Sequence, residues 1–144
     1  MTRPLFIISF LFLALANPLM AASDEEIANT AAALANDYHQ LKKQIEAKRL
    51  GSADARGAIR YLRTLKVNAL DLSETLTDGN YDDFEEIVIA GQDIMDEFLI
   101  LSRYMRSLNR YESSVRRDRV LQRQFRLLRA KVYHLDGQIN GDVE

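Results

Sequence analysis

The sequence predicts an all-α protein: an antiparallel up-down-up-down four-helix bundle that follows a cleaved N-terminal signal peptide. Three observations carry that expectation. Apolar residues recur at helical spacing in four successive stretches. Turn-forming residues separate the stretches. Both prolines, Pro4 and Pro18, lie near the start, so nothing later carries the residue that breaks a helix interior at a cost of about 3 kcal/mol. The alternative is a long helical hairpin or coiled coil that completes its core as a dimer. It follows if Asn109 to Ser114 stay helical.

The opening stretch, MTRPLFIISFLFLALANPLMAAS, has a basic start at Arg3, an apolar run from Leu5 to Ala16, then Asn17, Pro18 and small residues. That is the layout of a secretory signal peptide, with cleavage between Ala21 and Ser23. The run falls short of the roughly 20 residues that span a bilayer; the competing reading is a retained membrane anchor. The expected organisation is a signal peptide over 1–22, a helical domain over 23–137 and a flexible tail over 138–144. The chain has no cysteine, hence no disulfide. Small secreted domains usually carry disulfides, so a cysteine-free one points to a bacterial periplasm.

The first helical seam is Ile27, Ala31, Leu34, Tyr38, Leu41 and Ile45, a heptad pattern. Ser23 with Glu26 reads as its capping box, and Gly51 as a left-handed stop. Ser52 or Asp54 caps the second helix, whose seam is Ala55, Ile59, Leu62, Leu65, Ala69, Leu72 and Leu76. Thr77-Asp78-Gly79-Asn80 is the next turn. The third seam runs Phe84, Ile87, Gly91, Ile94, Phe98, Leu101, Met105, Leu108. Asn109 to Ser114 is a weaker break. The fourth seam is Leu121, Phe125, Leu128, Val132 and Leu135, with Gly137 near its end.

Bundles often hold metals or haem, but the residues for either are missing. Di-iron bundles use Glu-x-x-His; Asn36 and Lys131 stand three residues before His39 and His134. In an antiparallel bundle His134 is expected level with Ser23 to Ile27, roughly 18 Å along the axis from His39 at 1.5 Å per residue. Covalent haem needs cysteine. The acidic stretches 78–89 and 136–144 lack the glycine or the glutamate that a calcium loop requires. There is no nucleophile elbow, P-loop or dinucleotide fingerprint. The sequence therefore implies no metal, no cofactor and no enzyme.

Charge is laid out unevenly. Residues 71–97 hold ten acidic side chains and no basic one, whereas 103–131 hold ten basic and two acidic. With the third and fourth helices turning near residue 110, residues summing to about 221 face each other. Glu97 then meets Arg123 and Arg126, and Asp93 meets Arg126 and Arg129. The rest of the cations gather at one end, with the acids at the other. Helix dipoles account for this at some termini and oppose it at others. The candidate binding residues at the basic pole are Arg49, Arg60, Arg103, Arg106, Arg110, Arg116, Arg117 and Arg119, with Tyr61, Tyr104 and Tyr111. Arginine grips carboxylate or phosphate through two hydrogen bonds, and tyrosine joins it at binding hot spots. A bland role competes for each tyrosine, at the edge of the core.

Three functions follow from this layout. The first is a periplasmic binding or adaptor protein whose basic pole engages an acidic protein or an anionic membrane surface; nucleic acid does not suit a secreted protein with a pI near 5.7. The second is a homo-oligomer joined head to tail, acidic pole to basic pole. The third is a small-ligand carrier, if the missing side chain of Gly91 leaves a cavity instead of admitting close helix approach.

Overall fold

The computed structural model describes residues 22–141, so the stretch 1–22 that is expected to be a signal peptide lies outside the described residues apart from Ala22. The described chain is an all-α bundle with no strand: α1 (Asp24–Ala47), α2 (Ala53–Asp78), α3 (Phe84–Tyr111), the single turn α4 (Ser113–Arg116) and α5 (Arg119–Asn140). Among the described residues no helix is long and apolar enough to cross a membrane.

Each long helix starts on a side-chain cap, which satisfies a backbone N–H that has no partner within the helix. Ser23 Oγ accepts from Glu26 N at 3.2 Å and Ser52 Oγ from Ala55 N at 3.2 Å. Asp83 accepts from Glu85 N at 3.1 Å and Asp118 from Leu121 N at 3.0 Å. Ser52, and not Asp54, thus caps α2. Gly79 ends α2 in the left-handed region, at φ 63°. The end of α1 differs from expectation. The left-handed residue is Arg49, at φ 53°, not Gly51. Lys48 and Arg49 donate their N–H groups back to Ile45 and Glu46, which closes the helix before Gly51 is reached.

The seams meet in one core. Tyr38, Leu41, Leu62, Leu65, Phe98, Leu101, Leu121 and Leu128 are buried there, with alanines 28, 31, 35, 55, 58 and 69 between them. Ile59 and Phe84, both expected in the seams, are only partly covered. Each is at the edge of its helix's buried face.

The packed neighbours run antiparallel. Between α1 and α2, Ser73 donates to the Ala28 carbonyl and Lys66 Nζ approaches His39 Nδ1. Between α2 and α3, Ser107 donates to Asp54 and Asn68 to Glu97. α1 and α3 flank α5, and α2 sits diagonally opposite it.

The α3–α5 register departs from expectation. Residue 112 was expected opposite Asn109; Gln122 occupies that place, donating to Asn109 Oδ1 at 2.5 Å. Residue 130 was expected opposite Gly91, where the Ile139 side chain stands. The physical reason is the connection. α3 stays helical to Tyr111, Glu112 is extended, and the chain then spends one turn as α4 before α5 begins. At the far end α5 continues through Gly137 to Asn140, with Ile139 buried against α3. The packed body therefore reaches beyond the boundary of 137, and residues 138–140 are not tail.

Candidate functional site

The turn after α1 and the turn after α3 meet at one end of the bundle, and part of the positive charge there fastens them. Lys48 Nζ donates to the Ser114 carbonyl at 3.0 Å and pairs with Asp118 at 2.8 Å. That hydrogen bond, helped by the Leu121 N–H, holds the Asp118 carboxyl below the usual aspartate range. Arg116 Nη1 donates to the carbonyls of Asn109 and Arg110, at 3.3 and 3.2 Å, so it caps the free end of α3. Arg56 donates to the Gly51 carbonyl at 2.8 Å. Arg116, singled out from the sequence as a binding residue, thus has a structural job.

What remains is a cluster on α3. Arg103, Arg106 and Arg110 recur at steps of three and four, which puts them on one face. With Ser107 and Tyr111 they line a shallow depression. All three arginines are exposed, and Tyr111 is 72% exposed. The ion pairs among the described residues are Lys42–Glu46, Lys48–Asp118 and Lys131–Asp37. None involves this cluster, nor Arg49, Arg60, Arg117 or Arg119, which are also exposed.

The tyrosines divide. The Tyr61 and Tyr104 rings lie 5.7 Å apart and pack against the core from α2 and α3. Arg60 sits 5.8 Å from the centre of the Tyr61 ring, within cation–π range. The backbone of Gly57 makes room for Tyr104, because a Cβ there would lie 2.4 Å from the ring. Tyr61 and Tyr104 are packing residues, and of the three tyrosines Tyr111 is the exposed one.

The expected ion pairs between α3 and α5 are not formed. Glu97 accepts from Asn68 Nδ2 at 2.9 and 3.0 Å through its two oxygens, and Asp93 lines a groove between α2 and α3. Glu86, Ala90, Asp93 and Glu97 form one stripe at helical spacing, and that stripe faces α2. Burial pushes the Glu97 carboxyl up; Asn68 opposes the shift, and Asp93 and Asp96 add to it. Arg123, Arg126 and Arg129 are consequently exposed, without a carboxylate partner among the described residues. Arg129 instead lies 5.3 Å from the Phe125 ring centre. These three cations, expected to pair with Glu97 and Asp93 across the α3–α5 seam, belong instead to an open surface.

The histidines also sit differently from expectation. His134 lines a groove with Asp37 and Lys131, well along α1 from Ser23, because of the later α5 register. His39 faces α2, where Lys66 Nζ is 3.4 Å from Nδ1. Partial burial, and then Lys66, lowers its pKa. No group of three or more His, Asp or Glu suited to a metal ion occurs among the described residues. Gly91 leaves no vacancy, since Ile139 Cδ1 would be 2.7 Å from an added Cβ. The Ile139 side chain fills the space beside Gly91, which is not a ligand cavity. No family model, no curated protein and no solved structure matches the chain.

Proposed function

We propose that the protein is a periplasmic helical binding or adaptor protein that engages an anionic partner through Arg103, Arg106, Arg110 and Tyr111. The observation that supports this best is the unpaired state of three guanidiniums at helical spacing around one depression. Mutual repulsion there costs folding energy, and an oxyanion would relieve it. The ligand chemistry is carboxylate or phosphate, supplied by an acidic protein or by membrane headgroups. The secreted location rests on the N-terminal segment MTRPLFIISFLFLALANPLMAAS.

The test is cosedimentation with anionic and with zwitterionic vesicles, beside capture on immobilised polyglutamate, at low and high salt. The triple substitution Arg103→Ala/Arg106→Ala/Arg110→Ala should weaken binding about tenfold, since three exposed pairs at roughly 0.5 kcal/mol each sum to about one decade. Arg116→Ala is the wrong probe, because it uncaps α3. Unchanged binding by the triple variant refutes the proposal. Binding to vesicles alone assigns the oxyanion to lipid, and binding to polyglutamate alone assigns it to protein.

A further inference from the structure

The outward face of α5 has no partner within the bundle. At about 100° per residue, Arg119, Arg123, Arg126 and Ala130 fall within an arc of roughly 60°. Val120, Leu127 and His134 form a stripe along one flank of that arc. Val120 is 70% exposed and Leu127 55%. A solvated helix face needs cations, but it gains nothing from large apolar side chains held in water. The combination is an apolar stripe with a row of cations beside it, a composition suited to an interface.

The face between α2 and α3, on the flank of α3 away from α5, carries the complement. The groove between α2 and α3 has Leu72, Ile87 and Ala90 at its base and Asp71, Glu86 and Asp93 on its walls. Next to it Val67 is 51% exposed and Ile89 55%. The groove holds about 260 Å³, below the usual 300–1,000 Å³ of small-molecule sites but adequate for inserted side chains. None of the ion pairs among the described residues uses its carboxylates. The pitch matches as well: Glu86 and Asp93 are seven residues apart on α3, as Arg119 and Arg126 are on α5, about 10.5 Å in each case.

We infer that the α5 face of one copy docks into the α2–α3 groove of a second copy. Val120 and Leu127 cover the apolar floor, and Arg119, Arg123 and Arg126 meet Asp71, Glu86 and Asp93. The contact is made by the sides of the bundle and not by its ends. It uses none of the cluster Arg103, Arg106, Arg110 and Tyr111, so it stands or falls independently of the anion-binding reading. The two surfaces do not overlap. The association is therefore heterologous and propagates as an open chain.

Sedimentation velocity at low ionic strength tests this with two charge reversals. One is Arg123→Glu/Arg126→Glu, the other Glu86→Lys/Asp93→Lys; all four positions are exposed, and circular dichroism checks that each variant is folded. The wild type should form species larger than dimers that dissociate in high salt. Each variant alone should be monomeric, since one half of its interface is spoiled. Mixed in equal amounts, they should associate again, because the acidic groove of the first accepts the basic face of the second and the two reversed surfaces are themselves complementary. Should a charge reversal misfold, Arg123→Ala/Arg126→Ala serves in its place. A monomeric wild type, an assembling variant or a mixture that stays monomeric overturns the inference. So does loss of anionic-vesicle binding by Arg123→Glu/Arg126→Glu with assembly intact, which would make the α5 face a lipid surface.

Discussion

Lys48, just past the end of α1, pairs at 2.8 Å with Asp118, the residue that caps the start of α5. One carboxylate therefore locks two turns together and begins a helix. Asp118→Ala removes both contacts and should cost about 1–2 kcal/mol in chemical denaturation, mostly from the lost cap. Lys48→Met removes the pair and the bond to the Ser114 carbonyl but leaves the cap, and should cost about 1 kcal/mol. The pH dependence has a fixed sign. Asp118 titrates lower in the folded than in the unfolded chain, so its contribution is present above the ordinary aspartate range and lost as the pH falls through its depressed folded value. The gap between wild type and Asp118→Asn should close on acidification. A gap independent of pH would show that the pair is not formed in solution.

Glu97 behaves in the opposite sense. Burial raises its folded pKa, so the native state holds the proton more tightly than the unfolded chain. Its contribution is most favourable below the ordinary glutamate pKa and is lost as the pH rises through the raised folded value. Glu97→Gln keeps an oxygen to accept from Asn68 while removing the buried charge. The variant should match or exceed the wild type near neutrality, with that advantage shrinking as the pH is lowered toward 4. Melting curves across this range decide it; an advantage that grows on acidification would contradict the burial of the carboxylate.

The fold was largely legible because hydrophobic spacing and caps are local properties. The seam from Ile27 to Ile45, the cap Ser23 and the choice of Ser52 or Asp54 as the next cap needed only a few neighbouring residues to be read. Register was not local. Whether Glu97 meets Arg123 or Asn68 depends on how many residues the α3–α5 connection consumes, and the extended Glu112 followed by the single turn α4 adds a detour that no spacing announced. The flank matters equally: Glu86, Asp93 and Glu97 share a stripe, and only packing decides that the stripe faces α2. The same limit hid the open face of α5. Its arginines were legible as a run, but their exposure followed from the acids facing elsewhere. Gly57 escaped notice because its role is to accommodate a ring from another helix, which leaves no mark in its own segment beyond the small residue itself.

Gly57 and Gly91 each leave room for a side chain from a neighbouring helix, yet they should respond differently to alanine. At Gly57 the added Cβ meets three ring atoms of Tyr104, at 2.4, 2.6 and 2.9 Å. A ring already packed on Tyr61 yields only as a unit. At Gly91 the single severe contact is the terminal Cδ1 of Ile139, which moves by changing one rotamer. Overpacking costs about 1–3 kcal/mol, offset by up to about 1 kcal/mol of helix propensity gained in replacing glycine. Gly57→Ala should therefore destabilise by about 1–2 kcal/mol and Gly91→Ala by less than about 1. Adding Tyr104→Ala to Gly57→Ala should remove the clash, so the two effects should fail to sum. Additive costs in a double-mutant cycle would show that Gly57 is not held against Tyr104.

Tyr38 supplies the sharpest test of the core. Its side chain is fully buried, and its hydroxyl has no hydrogen-bond partner among the described residues. Burial, then the nearby charges of Glu97 and Asp37, raises its pKa, so the group stays neutral throughout the working range. A buried hydroxyl without a partner costs about 1–3 kcal/mol of desolvation, whereas the ring supplies the packing. Tyr38→Phe keeps the ring and deletes the unsatisfied atom. The substitution should leave stability unchanged or raise it by up to about 2 kcal/mol, visible as a higher urea midpoint with an unchanged slope. Tyr38→Ala should instead lose about 3–5 kcal/mol, the usual cost of removing a large core aromatic. If Tyr38→Phe were destabilising by more than about 1 kcal/mol, the hydroxyl would have to be satisfied in solution, and the centre of the bundle would be packed differently around α1.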